Sequence, residues 1–130
     1  MHTTHSKGLI GELEFTTHFI KKGFIVLSPV NPNSAYDLVI EKDGHFKKIQ
    51  IKYLTPSKGI LRVELGRPKR KTALYGKRGV DAMGVYDALN NKFYLIPLEN
   101  IYNKSEIWIR VTKARNCQKK NINSAEKYLI

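Results

Sequence analysis

An Asp-Gly pair between two short apolar runs is the sequence feature that most constrains this fold. Asp43 and Gly44 stand between the runs at residues 38–40 and 49–51. Asp-Gly is a strong signal for a two-residue hairpin turn, because such a turn requires positive φ at both central positions. The sequence therefore predicts two antiparallel strands in which Lys42 faces His45.

Pairing in this register places three polar side chains on one face of the hairpin. Asp37 faces Gln50, and Lys52 lies diagonally beside both. The opposite face carries the apolar set that we expect in the core: Leu38, Ile40, Ile49 and Ile51. A carboxylate, an amide oxygen and an ammonium on one face suit metal-assisted attack on a phosphodiester. Charged pairs are also routine on solvated sheets, and a one-residue slip would separate the three groups, so the hairpin alone leaves both interpretations open.

The net charge indicates a polyanionic partner. The chain carries 23 Lys and Arg against 11 Asp and Glu, a net of +12 that is typical of nucleic-acid binding in a small domain. Residues 55–79 hold eight of these cations and one acid, hence +7 of the +12. Within them, residues 66–79 are predicted to form a long basic loop bounded by glycines, and such a loop in a compact domain is usually functional or disordered.

Length and composition exclude several other classes. For 130 residues we expect one domain, spanning 1–130. No apolar run reaches the roughly 18 residues of a membrane span, and the N-terminal residues lack a secretory apolar stretch, so we expect a cytoplasmic protein with no membrane partner. The single Cys117 rules out an internal disulfide and fits a reducing compartment. The histidines show no finger-like spacing with it: His2, His5, His18 and His45.

Residues 6–22 are predicted to form the first helix, with Ser6 as its N-cap and Gly23 as its stop. The helical wheel has two apolar rows, a stripe of Leu9, Leu13 and Ile20 flanked by Ile10, and a row of Phe15 and Phe19. Glu12 falls between the rows, where an acid costs free energy unless it pairs or coordinates a cation. A boundary glutamate that pairs with a lysine is the alternative.

The remaining pattern predicts a mixed α/β or α+β domain. Residues 24–28 and 60–65 are expected strands, the second extending the hairpin as the third strand of a meander. Residues 80–88 and 92–96 are expected to form a second hairpin. Helical turns at 98–102 and 124–129 and a strand at 107–111 complete the expectation.

The order of the polar groups resembles the PD-(D/E)XK nuclease superfamily. Gly11-Glu12 within the first helix precedes Asp37 at the start of one strand, and Gln50 and Lys52 follow, one residue apart, on the next strand. The Gln in place of an acid, the small size and the basicity are most similar to the cyanobacterial group I intron homing endonuclease branch.

The resemblance implies a fold and a division of the chain. It implies a restriction-endonuclease-like core over about residues 7–96, with a mixed central sheet and flanking helices. Residues 97–130 would form a C-terminal extension with a role in oligomerisation. Two positions depart from the family pattern, since Tyr36 replaces the proline and Gln50 replaces the acid. An amide oxygen is a weaker ligand for a hard cation than a carboxylate, so loss of activity is an alternative.

The resemblance also implies the roles of the site residues. Asp37 would be the principal metal ligand, supported by the Gln50 side-chain oxygen and the Ile51 carbonyl. Glu12 would act from the helix side in the first or second coordination shell. Lys52 would orient or deprotonate the attacking water and neutralise charge on phosphorus. The ligands are all oxygen atoms, so Mg²⁺ is the expected ion, with Mn²⁺ as a substitute.

The implied substrate is double-stranded DNA, and the implied function is Mg-dependent, site-specific endonuclease cleavage of the homing type. The residues expected to contact DNA are Arg62, Arg67, Lys69, Arg70, Lys71, Tyr75, Lys77 and Arg78. Two alternatives remain open, a structure-specific junction-resolving nuclease and a non-catalytic basic DNA-binding module. RNA binding is disfavoured because the chain lacks interleaved aromatic residues.

A double-strand break requires two cuts on antiparallel strands, so we expect a dimer or a tetramer. The apolar and aromatic residues late in the chain are interface candidates and equally core candidates: Tyr102, Ile107, Trp108, Ile109 and Val111.

Overall fold

The computed structural model describes residues 2–65, 79–112 and 122–130. The strands are β1 (Ile25–Leu27), β2 (Leu38–Lys42), β3 (His45–Leu54), β4 (Ile60–Glu64), β5 (Ala82–Asp87), β6 (Lys92–Pro97) and β7 (Glu106–Arg110). Helix α1 (Thr4–Lys21) precedes them, a helical turn (Leu98–Ile101) follows β6, and a 3-10 turn (Ala125–Tyr128) comes last.

Helix α1 begins earlier than the sequence pattern predicted. Thr3 is the N-cap, and its side-chain oxygen accepts a hydrogen bond from the Ser6 N–H at 3.1 Å. The prediction of Ser6 as the cap was therefore wrong, because an earlier threonine supplies the acceptor. Gly23 ends the helix as expected, with φ of 91°.

The predicted hairpin and its register are confirmed. Lys42 pairs with His45, and the ladder continues to Leu38 opposite Ile49. Asp43 and Gly44 have φ of 54° and 81°, as a two-residue hairpin turn requires.

The predicted meander was wrong in its third strand. Within the described residues the larger sheet has five strands in the order β1-β2-β3-β5-β6, and β4 pairs with β7 in a separate two-stranded sheet. On the side away from β2, the neighbour of β3 is β5, and β3 and β5 are parallel. Alternation of apolar residues in β4 identified a half-buried strand correctly but carries no information about its partner.

The larger sheet lies between two apolar layers. Helix α1 covers one face, where the buried residues include Phe15, Phe19, Ile40, Ile49 and Ile51. The smaller sheet covers the other face, where Leu61, Val63 and Ile109 pack with Met83, Val85 and Ile96. This mixed sheet with a flanking helix confirms the expected α+β class. No helix among the described ranges is long and apolar enough to cross a membrane.

The helix packs through one of its two predicted apolar rows. Phe15 and Phe19 are buried, whereas Leu9, Leu13 and Ile20 are each more than half exposed. The aromatic row contacts the sheet above Gly84, where the missing side chain leaves room for the ring of Phe15. A β-carbon at Gly84 would lie 2.8 Å from Ile51 Cδ1 and 3.0 Å from Phe15 Cζ.

We expect Gly84→Ala to lower the free energy of unfolding by about 1–3 kcal/mol, because the added methyl group overpacks the contact between helix and sheet. Gly8→Ala is the matched control. It adds a methyl group on α1 where nothing lies within 4 Å, and it should stabilise the helix by about 0.5–1 kcal/mol. Urea unfolding followed by circular dichroism measures both changes. Equal stability of the Gly84 variant and the wild type would contradict this packing.

Candidate active site

The site is built where β2 separates from β3. The ladder between these strands ends at Leu38 and Ile49. At the next residue, the Asp37 N–H donates to the Ile49 carbonyl at 2.9 Å, and Asp37 Oδ2 accepts from the Ile51 N–H at 2.7 Å. A side-chain carboxylate thus replaces a main-chain partner at this fork. Asp37 is held there in a fixed position, half-buried, with lone pairs left for another ligand.

Strand β3 continues past the fork and carries the other two groups of the predicted cluster. Gln50 and Lys52 are half-buried and lie on the same face, because side chains alternate along a strand. On the side away from β2, Gln50 pairs with Met83 and Lys52 pairs with Val85 of β5. On the side toward β2, the Ile51 N–H between these two residues donates to the Asp37 carboxylate instead of to a main-chain group.

Gly11 allows helix α1 to approach β3 closely enough for Glu12 to reach the fork. Gly11 is buried, and a β-carbon on it would lie 3.3 Å from Ile51 Cγ2 and 3.5 Å from Tyr53 Cβ. This close approach seats the helix on β3, so the next residue, Glu12, reaches Asp37. The structure thus brings Glu12 and Asp37 together at the fork, and it places Gln50 and Lys52 on the adjoining strand.

The two carboxyl groups influence each other. Burial raises the pKa of Glu12 above its ordinary value of 4.5, and the nearby charge and hydrogen bonding of Asp37 raise this pKa further. Both residues line a cleft of about 160 Å³, whose other walls are Ser28, Pro29, Asn31, Pro32, Ser34 and Tyr36. Two acids facing one small polar cleft form an arrangement that a cation stabilises.

The donor set fits a hard divalent cation. In the ranges that the structure describes, no three His, Cys, Asp or Glu side chains converge as a metal-holding group. Two carboxylates do converge, and the Gln50 amide on the adjoining strand is a neutral oxygen donor. Oxygen ligands select Mg²⁺, Ca²⁺ or Mn²⁺ over softer metals.

Of the predicted DNA-contacting residues, the structure describes only Arg62. This residue lies on the solvent face of β4, where its Nε donates to Glu106 Oε2 at 2.9 Å and its strand partner is Trp108. The others lie outside the described residues: Arg67, Lys69, Arg70, Lys71, Tyr75, Lys77 and Arg78. In the structure Arg62 is therefore paired with a protein carboxylate.

The late apolar residues divide between core and surface. Ile107 and Ile109 are buried, so for these two the core interpretation is correct. Val111 is half-buried against the same core, whereas Tyr102 and Trp108 are about half exposed. Of these five residues, Tyr102 and Trp108 are therefore the ones exposed enough to form an interface.

Lys48 was missed by the sequence analysis although it shares the face of Gln50 and Lys52. Its ammonium lies 5.9 Å from the centre of the Tyr36 ring, at the cleft. The alternation of β3 marks it, but a lysine near a hairpin tip is indistinguishable by pattern from a solvated one.

The acid at the fork, the acid on the helix and the lysine two residues beyond the amide stand in the order predicted from the sequence, on a mixed sheet. A model of the PD-(D/E)XK endonuclease family matches residues 2–130. The chain belongs to this family.

Two further similarities agree with the family. The structure of a bacterial homing endonuclease, I-Ssp6803I, is similar with a TM-score of 0.75 and 26% sequence identity, over 99% of this chain and 88% of that chain. Protein 5.3 of Escherichia phage T7 is 38% identical over 55 residues, which are 42% of this chain and 47% of the phage protein. The match thus spans about half the length of that relative.

Glu12→Gln should stabilise the protein at neutral pH. A carboxyl whose pKa is raised by folding opposes folding once it ionises, so the stability it allows below pH 4.5 is lost as the pH rises through its folded pKa. The melting temperature of the variant should exceed that of the wild type at pH 7, and the gap should close toward pH 4. Glu14→Gln, which removes another carboxyl group from the same helix, is the control. A Glu12 variant that melts below the wild type at pH 7 would contradict this electrostatic picture.

Proposed function

We propose that this chain is a divalent-metal-dependent, site-specific endonuclease of double-stranded DNA, of the homing type. The observation that carries the proposal is the pair of Glu12 and Asp37 at the strand fork, beside the face that holds Gln50 and Lys52. Similarity over nearly the whole chain to a bacterial homing endonuclease supports the same conclusion. The nuclease core would occupy about residues 7–96 of a single domain, with 97–130 as an extension.

Asp37 would hold the cation through the carboxylate oxygen lone pairs that the Ile51 N–H does not use. Gln50 would contribute its side-chain oxygen and Ile51 its carbonyl. Glu12 would complete the set from the helix. We infer Mg²⁺ as the ion, with Mn²⁺ as a substitute, because the donors are all oxygen. When bound, such an ion lowers the pKa of a coordinated water and neutralises phosphate charge.

Lys52 would act on the phosphate and on the attacking water. Its ammonium would orient the water for in-line attack and offset negative charge developing on phosphorus. Phosphoryl transfer depends mainly on positioning and electrostatics, so a few fixed groups suffice. The position of Lys52 on a rigid strand, two residues beyond Gln50, suits this task.

The basic residues at 66–78 would bind the DNA backbone. Lysine and arginine supply affinity that is independent of sequence, and they also reach base edges in the major groove, where they read guanine. Arg62 would join them by exchanging Glu106 for a phosphate, because an exposed ion pair is weak and a phosphate is the stronger partner.

Cleavage should require the fork and the lysine. Asp37→Asn retains an oxygen that accepts from the Ile51 N–H, yet removes the charge. Both Asp37→Asn and Lys52→Ala should therefore reduce metal-dependent plasmid cleavage by about 100-fold or more while folding and DNA affinity stay nearly unchanged. Lys47→Ala, on the opposite face of the same strand, is the control and should cleave like the wild type. Undiminished cutting by either site variant would refute the assignment.

The same experiment separates the two alternatives. A non-catalytic binding module would give no metal-dependent ends with any substrate. A junction-resolving nuclease would cut branched DNA in preference to linear duplex, so the substrate set includes a four-way junction beside plasmid libraries whose ends are sequenced.

We also propose that the active enzyme is a dimer or a tetramer, because two strands must be cut and each chain supplies one site. Trp108 and Tyr102 are the exposed members of the expected interface. Analytical ultracentrifugation should show an assembly larger than a monomer, and Trp108→Lys should shift it toward smaller species without unfolding the chain. Leu89→Lys, at an apolar residue in the β5–β6 turn that is more exposed than Trp108, is the control. A monomer that nicks one strand would contradict the proposal.

A further inference from the structure

Lys48 lies on the same face of β3 as Gln50 and Lys52. Side chains alternate along the strand, so Lys47 and Ile49 point to the opposite face. Lys48 is half-buried, whereas Lys47 is exposed. The two adjacent lysines therefore have different surroundings despite their shared chemistry.

The backbone of Lys48 is fixed by Asp81. The Lys48 N–H donates to Asp81 Oδ2 at 2.7 Å, and the Asp81 N–H donates to the Lys48 carbonyl at 2.8 Å. This reciprocal pair joins β3 to the chain just before β5. The lysine side chain therefore starts from a rigid point.

The ammonium of Lys48 lies near both Tyr36, on the wall of the cleft, and Gly79. It is 5.9 Å from the centre of the ring of Tyr36, the residue that precedes Asp37 and lines the cleft. A β-carbon at Gly79, directly after the basic stretch, would lie 3.3 Å from Lys48 Nζ. Gly79, with φ of 70°, thus leaves room for the ammonium.

The charge of Lys48 is open to an anion. Among the described residues the salt bridge that forms is Arg62 with Glu106, and the Asp81 Oδ2 beside Lys48 accepts from its main-chain N–H. Contact with an aromatic face is weak and leaves the N–H donors of the ammonium free to bind oxygen.

We propose that Lys48 binds a non-scissile phosphate of the DNA and that the Tyr36 ring positions its ammonium for this contact. The inference rests on the proposed function, since it takes DNA as the substrate. Lys48 and Lys52 are four residues apart, about 13 Å along the strand, so the two lysines meet different phosphates. Lys52 then serves the reacting phosphate, and Lys48 fixes the register of the duplex on the cleft.

The test compares K48M with K47M, which removes the same charge from the neighbouring residue on the other face. Binding of a short fluorescent duplex is measured in metal-free buffer over a range of salt concentrations. K48M should reduce the slope of log affinity against log salt by about 0.9, the value for one lost phosphate contact, and K47M should leave it unchanged. An unchanged slope in K48M, or an equal reduction in K47M, would overturn the proposal.

The role of the ring is tested in the same assay. Tyr36→Phe keeps an aromatic face and should retain the wild-type slope, whereas Tyr36→Leu should lower it as K48M does. K48R should restore the slope, because its guanidinium also binds phosphate. A Tyr36→Leu variant with the full slope would remove the ring from the proposal, and circular dichroism melting confirms that each variant is folded.

Binding and cleavage together distinguish this inference from the proposed function. With Mg²⁺ in single-turnover conditions, K48M should raise the enzyme concentration for half-maximal rate more than it lowers the maximal rate. Asp37→Asn should do the reverse. If the wild type binds DNA without cutting it, the nuclease proposal fails while the salt slopes still decide on Lys48. If cleavage is metal-dependent and the K48M slope is unchanged, only the inference about Lys48 fails.

Discussion

The hydrogen bond from the Ile51 N–H to the Asp37 carboxylate is the interaction on which the rest of the site depends. Antiparallel strands normally satisfy one another through main-chain groups. At this point β2 turns away, and its last partner is a side chain. The substitution satisfies a strand N–H and fixes an acid at the fork, next to the part of β3 on which helix α1 packs. One local exchange of partners thus fixes the acid that Glu12 meets from the helix.

The helix packs closely on β3 because Gly11 has no side chain. Any β-carbon there would press on Ile51 and Tyr53, and the helix would stand farther from β3. Glu12 would then lose its proximity to Asp37. The raised pKa of Glu12 reflects the free-energy cost of this arrangement, since an acid is held partly buried beside another acid. Glu12 therefore opposes stability at neutral pH, where its carboxyl group ionises.

Local chemistry determined which features the sequence revealed. The hairpin, its register and its buried face followed from Asp43-Gly44, because turn geometry fixes which residues face each other. The fork itself was not predictable, since a ladder that ends one pair early leaves no mark in the pattern. The same limit applied to β4, because its alternation predicted a strand correctly but could not predict the partner of that strand.

On α1, the helical wheel showed two apolar rows, and only the shape of the sheet above Gly84 decides which row is buried. The residues at 66–78 carry the highest density of positive charge in the chain. This charge predicts a polyanionic partner, but it does not predict where each side chain lies.

The position of Glu12 gives a physical reason for the amide at Gln50. The family pattern has an acid at the position of Gln50, which together with Glu12 and Asp37 would bring three carboxyl groups near the fork. In this chain a neutral amide stands at that position, and the two carboxyl groups that meet are Glu12 from the helix and Asp37 from the strand. Two carboxyl groups rather than three therefore share the fork. A third carboxylate on β3 would add repulsion where burial and Asp37 already favour protonation of Glu12, and a protonated acid binds a cation poorly. Gln50 thus belongs with Glu12 as one solution to the charge balance of the site, and the two residues are best understood together.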